Sequence, residues 1–255
     1  GEVTTGAIDD SIRHSISKLS HLHFPIHDLY KKRLIQLGES PKTIFNYGGL
    51  GAYSIKNTKF KSKTDLEYEL KIKLDKEIII ITYHPTTLEK NKSNYQVSNL
   101  ISALNKFKNV IKIFTASNFD HENEIIKNKI LDLTSKNKET FFYPSLGHLN
   151  YVSLMRISSV VIGNSSSGIL ETPSLGIPTV NIGNRQRGRI ISNNIINSEY
   201  KNTEIIKNIN KALTFDKKKL FKIGSPFYKK DTPKKISKKI ISFNFFLKKD
   251  FKDLN

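Results

Sequence analysis

The sequence contains no cysteine and no tryptophan, and it has only 23 acidic residues among 255. The lack of cysteine excludes disulfide bonds, thiolate metal sites and a cysteine nucleophile. It is typical of a reducing compartment, so a cytoplasmic location is expected. No apolar run approaches the roughly 20 residues that span a bilayer, so no membrane partner is expected. The start, "GEVTTGAIDDSIRH", lacks the basic region and apolar core of a signal peptide.

Basic residues are in large excess, with 42 Lys and Arg against 23 Asp and Glu, which gives a net charge of +19. Such a charge is compatible with nucleic-acid binding. The lysines, however, are spread along the whole chain and form no single stripe interleaved with aromatic residues. A general compositional bias is therefore the favoured interpretation, and no nucleic-acid partner is predicted. The positive field would still attract a small anionic ligand.

Short apolar segments alternate with helical patterns from about residue 77 onward. Each predicted strand is an apolar stretch about four to six residues long and is followed by a helical pattern. This order predicts an α/β fold with a doubly wound parallel sheet that is covered on both faces. The predicted strands are "EIIIITYH", "VIKIFTAS", "ETFFYP", "SVVIG" and "PTVNIG".

We predict three regions: a first segment 1–56, a complete Rossmann-like domain 57–225 and a helical tail 226–255. The first segment holds two helical patterns and two short apolar segments, about half of a typical domain. Its first helix has Asp9 or Asp10 as a candidate N-cap. The two apolar segments, "LHFPI" and "TIFNYGG", are predicted to be strands. The tail is predicted to pack on the first segment, burying Ile236, Ile240, Ile241, Phe243 and Phe246.

The stretch "GNSSSGILE" follows the predicted strand "SVVIG" and leads into a helix predicted to start near Ile169. In open α/β sheets, ligands bind at the carboxyl ends of the strands, where free N–H groups of a following helix suit a phosphate. Ser165 and Ser166 are therefore candidates for a diphosphate cradle. The spacing excludes both a P-loop and a nucleophile elbow. The alternative is an ordinary capped helix with no ligand.

Glu171 follows that cradle and has two interpretations. Its carboxylate could accept hydrogen bonds from the two neighbouring hydroxyls of a ribose, which would complete a nucleoside diphosphate site. It could instead form a capping box with one of the serines. The residues alone leave both open.

Other candidates follow neighbouring strands. Arg185, in "IGNRQRGR", could clamp a phosphate or orient Glu171, or it could lie in a solvated basic loop. His84 ends the first strand and could bond a phosphate or move a proton, or it could be a packed structural histidine. Asn118, after "IFTAS", is a weaker candidate for contact with a base or phosphate.

Four histidines cluster near the start of the chain, and histidine is a common zinc ligand. No carboxylate or cysteine lies at a spacing that would complete a site, so no metal is predicted. The histidines are His14, His21, His23 and His27.

Taken together, "GEVTTGAIDDSIRHSISKLSHLHF", "RLIQLGESP", "YHPTT" and "GNSSSGILETPSLGIPTVNIGNRQRGR" resemble the hydrolysing UDP-N-acetylglucosamine 2-epimerases. These are the bacterial enzymes of sialic-acid synthesis and the epimerase half of the animal bifunctional enzyme. The resemblance runs from Gly1 to about residue 195. It implies a glycosyltransferase-B-like fold that holds a UDP-sugar between two Rossmann-like domains.

The resemblance also implies site residues. By motif position, Asp9 matches a catalytic carboxylate and His84 a histidine that contacts the substrate. Asn118 matches a further nucleotide contact. The remaining matches are UDP-contacting positions, namely Ser165, Ser166, Glu171 and Arg185.

The implied reaction is anti-elimination of UDP from UDP-N-acetylglucosamine, followed by hydration to N-acetylmannosamine, with no cofactor. The family's chains begin before the residues that match Gly1, so we expect an incomplete first domain and little or no turnover by this polypeptide. A full-length homo-oligomer, either a dimer or a tetramer, is expected. The alternatives are a 2-epimerase acting on a UDP- or GDP-linked diacetamido-trideoxyhexose and a non-catalytic nucleotide-binding module.

Overall fold

The computed structural model describes residues 1–117, 122–246 and 248–253. Within these ranges no helix combines the length and the apolar character needed to cross a membrane. The strands are short, the central ones are buried, and all pair in parallel. They are β1 (Glu77–Thr82), β2 (Val110–Thr115), β3 (Thr140–Tyr143), β4 (Val160–Gly163), β5 (Thr179–Ile182) and β6 (Ile195–Ser198).

The six strands form one sheet in the order β3-β2-β1-β4-β5-β6. The order reverses direction between β1 and β4, which is the position where doubly wound sheets bind ligands. The predicted α/β class and parallel sheet are confirmed. The sixth strand, with the sequence "IINS", was missed because asparagines and a serine surround its two isoleucines.

Helices cover both faces of the sheet, as alternation along the strands requires. Ile79 and Ile81 of β1 face one core, and Ile78 and Ile80 face the other. The helices are α1 (Asp9–Leu19), α2 (Asp28–Gln36), α3 (Leu50–Asn57), α4 (Lys63–Leu70), α5 (Ser93–Leu104), α6 (Asn123–Lys136), α7 (Gly147–Ile157), α8 (Ser167–Leu170), α9 (Thr172–Leu175), α10 (Asn202–Leu213), α11 (Lys217–Ile223) and α12 (Thr232–Ile241).

The first segment differs from its prediction in two respects. The segments "LHFPI" and "TIFNYGG" pair only through one isolated bridge, His23 to Ile44, and form no regular strands. Pro25, which has no N–H, follows His23 closely and cannot extend the ladder. The N-cap position of α1 is Ile8, so neither aspartate caps the helix. Asp10 instead accepts a 2.6 Å hydrogen bond from the backbone N–H of Thr4.

The C-terminal tail lies against the first segment. The ammonium group of Lys249 donates to the backbone carbonyls of Ser17, Lys18 and Ser20, and it pairs with the buried carboxylate of Glu39. The predicted long final helix is wrong beyond Ile241, where α12 ends. Ile240, Ile241 and Phe246 are exposed, so the prediction that the tail buries them is wrong.

Candidate functional site

A cavity of about 380 Å³ opens at the carboxyl ends of β1, β2 and β4. Five of the predicted site residues line this cavity, although they are spread over about 100 positions of the sequence. They are His84, Ser165, Ser166, Glu171 and Arg185. The parallel sheet places the ends of its strands at one edge, which is why distant residues converge there.

The geometry is tightly constrained at Gly163, the last residue of β4, and at Asn164, the first residue of the turn after it. Gly163 has a φ of +134°, and a Cβ atom there would lie 1.9 Å from the carbonyl oxygen of Thr82. Only glycine can therefore let β4 run this close to β1. Asn164, which follows, is fully buried. Its side-chain oxygen accepts from the N–H of His84 and its amide donates to the His84 carbonyl, both at 2.7 Å.

Asn164 also connects the loop after β5 to the site. Its backbone carbonyl accepts hydrogen bonds from Arg185 at 3.1 Å and from Gln186 at 2.7 Å. One buried asparagine thus fixes the loop that carries His84, the serine turn and the loop that carries Arg185. The sequence prediction missed this residue, because an asparagine between glycine and serine is also common in simple turns.

The electrostatics of the cavity favour a neutral histidine and an anionic ligand. Burial, with a smaller contribution from the Arg185 charge, lowers the pKa of His84 to about 3. At neutral pH the ring is therefore uncharged and can donate one hydrogen bond and accept another. It cannot supply a proton as an imidazolium unless a bound anion raises its pKa.

A tyrosine that the sequence prediction did not select is hydrogen-bonded to the serine turn. The hydroxyl of Tyr151, in α7, lies 2.7 Å from that of Ser167, whose own hydroxyl lies 3.2 Å from that of Ser165. The N-cap residue Ser166 makes no side-chain capping bond. Its half-buried hydroxyl therefore remains available at the mouth of the cavity.

The helix after the serines differs from its prediction. It begins at Ser167 rather than near Ile169, and it is divided at Glu171 into the single turns α8 and α9. Pro173 explains the break, because proline provides no N–H for the helical ladder. Glu171 lies at the break and not at the third helical position, so the capping-box alternative is wrong.

The carboxylate of Glu171 is half-buried, and no donor from the part of the chain that the structure describes bonds it. Burial raises its pKa, and the nearby His148 opposes that rise. A half-buried carboxylate without donors loses hydration and gains nothing in return. This is the arrangement expected of a group that meets its donors on a ligand.

One described site residue, Asp9, does not line this cavity. Asp9 is exposed and lines a separate cavity with Glu2 and Arg13. Asn118 lies outside the residues that the structure describes. Of the four N-terminal histidines, His23 has its Nε2 2.9 Å from a carboxylate oxygen of Glu39. Within the described ranges, no group of three or more histidine and acidic side chains is arranged to hold a metal ion.

The N-terminal residues border the same edge of the sheet. The N–H of Thr5 donates to the carbonyl of Arg187, and Gly6 lies so close to Asn184 that a Cβ would be 2.2 Å from its carbonyl oxygen. The loop carrying Arg185 is thus enclosed between the first segment and the sheet.

A family model described as UDP-N-acetylglucosamine 2-epimerase matches residues 1–241. The chain belongs to this family. Among curated relatives, it is 51% identical over 201 residues to the GDP/UDP-N,N'-diacetylbacillosamine 2-epimerase (hydrolyzing) of Campylobacter jejuni, covering 78% of this chain and 52% of that protein. It is 36% identical to the polysialic acid biosynthesis protein P7 of Escherichia coli, covering 99% of this chain and 65% of that protein.

A third family member, the UDP-N-acetylglucosamine 2-epimerase of Neisseria meningitidis, is 30% identical over 85% of this chain and 56% of its own length. The chain therefore spans between 52% and 65% of these relatives. A solved N. meningitidis 2-epimerase bound to UDP-GlcNAc superposes with a TM-score of 0.72, 16% identity and coverage of 94% of this chain and 66% of that one. At this identity the likeness establishes the shared fold alone.

Proposed function

We propose that the cavity at the carboxyl edge of the sheet binds the UDP group of a nucleotide sugar in a hydrolysing 2-epimerase. The convergence of the serine turn, Glu171 and Arg185 on one 380 Å³ cavity carries this proposal. The family match supports the reaction class. The chain spans about half to two thirds of its curated relatives, so the activity of the whole protein is part of the proposal.

Each group has a distinct role in this proposal. The hydroxyl of Ser166 and the N–H groups of the serine turn bond the diphosphate, and Arg185 adds a charge-assisted contact. The carboxylate of Glu171 accepts hydrogen bonds from the 2′- and 3′-hydroxyls of the ribose. The neutral imidazole of His84 donates to the departing phosphate oxygen, where negative charge grows as the bond to the sugar breaks.

The proposed reaction removes UDP and then adds water. A base takes the proton from C2, and the electron pair of the C2–H bond forms a C1=C2 double bond. The C1–O bond breaks, and its electron pair leaves with UDP. Water then adds a hydroxyl to C1 and a proton returns to C2 from the opposite face. We assign Asp9 to the proton transfers at C2 by its motif position. Asp9 lines a cavity separate from the nucleotide cavity, so this assignment requires that the sugar and Asp9 come together when the substrate binds.

The sugar is proposed from the relatives. The 51% identical C. jejuni protein makes N,N'-diacetylbacillosamine linked to UDP or GDP the first candidate substrate. UDP-N-acetylglucosamine, with a role in sialic-acid synthesis, is the second candidate, because the N. meningitidis relative acts on it by name. A cytoplasmic location and a homo-oligomer remain predictions.

The test of the site is UDP titration by calorimetry. We expect saturable binding of one equivalent and a loss of about tenfold or more in Glu171→Gln, because two charge-assisted hydrogen bonds weaken. Glu124→Gln, on the exposed surface of α6, is the matched control and should bind UDP normally. Dideoxy-UDP, which lacks both ribose hydroxyls, should bind wild type and Glu171→Gln equally.

Unchanged UDP affinity in Glu171→Gln would contradict the assignment to the ribose. A steep salt dependence with single-stranded RNA, unaffected by this variant, would instead favour the nucleic-acid interpretation. To choose between the sugars, UDP release from each substrate is followed with protein expressed from the complete coding sequence. Faster release from UDP-N-acetylglucosamine would make the second candidate the substrate.

A further inference from the structure

A second cavity, of about 730 Å³, lies between α3, α7, α9 and α11. Its lining shares no residue with the nucleotide cavity. Its volume is within the range of small-molecule sites, roughly 300–1,000 Å³. Nothing in the proposed epimerase reaction uses it.

The charge of this cavity is of one sign. Among the described residues that line it, five are cations and none is acidic, and none of the five forms an ion pair with a described carboxylate. Like charges gathered in one concave site repel one another and attract a counter-ion. The five cations are Lys56, Arg156, Lys217, Lys218 and Lys222.

The cavity also has aromatic walls that are already paired with cations. The Lys56 ammonium lies 4.4 Å from the ring centroid of Phe221, and the Arg156 guanidinium lies 4.7 Å from that of Phe60. Phe221 is 48% exposed, so its ring presents apolar surface to the cavity. A ligand that has an anionic group beside a ring would contact both the cations and the ring surface.

A buried hydroxyl lies at the same site. Ser174, in α9, lines the cavity and is only 7% exposed, and its side-chain oxygen has no hydrogen-bond partner in the described chain. A buried hydroxyl without a partner is costly. The walls are firmly placed, because a Cβ on Gly176 would lie 2.5 Å from the backbone nitrogen of Phe221.

We propose that this cavity is a second ligand site, which binds a phosphorylated small molecule carrying an aromatic or other planar ring. The phosphate contacts Lys218 and Lys222 of α11 and Arg156 of α7, and the ring lies against Phe221. The site adjoins α9, the turn that begins directly after Glu171. It is separate from the nucleotide site and does not depend on the proposed activity.

The probe is phenyl phosphate, compared with inorganic phosphate and with benzyl alcohol, and binding is followed by amide chemical shifts in 15N-labelled protein. We expect saturating shifts at Ser174 and Phe221, with phenyl phosphate binding more tightly than either compound that has only one of its two groups. Lys218→Gln/Lys222→Gln should weaken phenyl phosphate about tenfold, as expected for two exposed charges.

The matched control is Lys211→Gln/Lys219→Gln, which loses the same two charges from exposed positions that do not line the cavity. It should bind phenyl phosphate as the unaltered chain does. Shifts at Ser166 report the nucleotide site independently, so failure of one site is distinguishable from failure of the other. Absence of saturation at Ser174 and Phe221, or an equal loss in the control variant, would overturn the proposal.

Discussion

Replacing Asn164 by alanine tests whether one buried side chain holds the candidate site together. The substitution removes both 2.7 Å hydrogen bonds between the Asn164 side chain and the backbone of His84. Each loss at a buried backbone group costs about 1–3 kcal/mol, so the free energy of unfolding should fall by about 2–6 kcal/mol. This is a large part of the roughly 5–15 kcal/mol that stabilises a typical domain.

The assay is urea unfolding at pH 7, followed by UDP titration of any variant that remains folded. Asn128→Ala, at an exposed position of α6, is the control and should change the unfolding free energy by less than about 0.5 kcal/mol. If the unfolding free energy of Asn164→Ala is within about 0.5 kcal/mol of the wild-type value, the hydrogen bonds to His84 do not provide the stability assigned to them.

Asn164→Asp keeps the acceptor for the His84 N–H but directs a carboxylate oxygen at the His84 carbonyl. A buried carboxylate facing a carbonyl has a raised pKa, and only its protonated form can donate to that carbonyl. The variant should therefore be close to wild type at pH 4 and lose stability, relative to wild type, as the pH rises to 8. A difference from wild type that is constant with pH would refute this geometry.

Two further predictions concern single groups of the site. Because burial lowers the pKa of His84 to about 3 from 6.5, its contribution to stability is complete above pH 6.5 and is lost as the pH falls towards 3. At pH 5 the loss is about 2 kcal/mol. The free energy of unfolding in urea should therefore fall less between pH 7 and pH 5 for His84→Gln than for wild type. An equal fall in both proteins would show that the ring is not held neutral. Tyr151→Phe removes the 2.7 Å contact with Ser167, and it should weaken UDP binding about threefold to tenfold, as loss of one hydrogen bond does; calorimetry showing full affinity would contradict this support of the serine turn.

Much of the fold follows from local sequence patterns. The apolar strands alternate with helical patterns, and burying such strands requires helices on both faces, so the parallel sheet could be predicted. The sixth strand could not, because its "IINS" segment is stabilised by pairing with β5 rather than by its own composition. The two strands expected before residue 50 are extended but meet at only one bridge.

The candidate site was partly predictable for a similar reason. Residues at the carboxyl ends of parallel strands share one edge, so His84, the serines and Arg185 could be expected to converge. The neutral state of His84, the break of the helix at Glu171 and the support from Tyr151 depend on burial and on contacts between distant segments. The separation of Asp9 from this cavity depends on how α1 lies on the rest of the chain.

The sequence by itself determined the fold class, the family and the chemical types gathered at the sheet edge, because these depend on periodicity and on residues next to strand ends. The tertiary structure decided the role of Asn164, whose side chain bonds both backbone groups of His84. It also decided the existence of the second, basic cavity between α9 and α11. Both depend on packing across long stretches of chain, which no local pattern records.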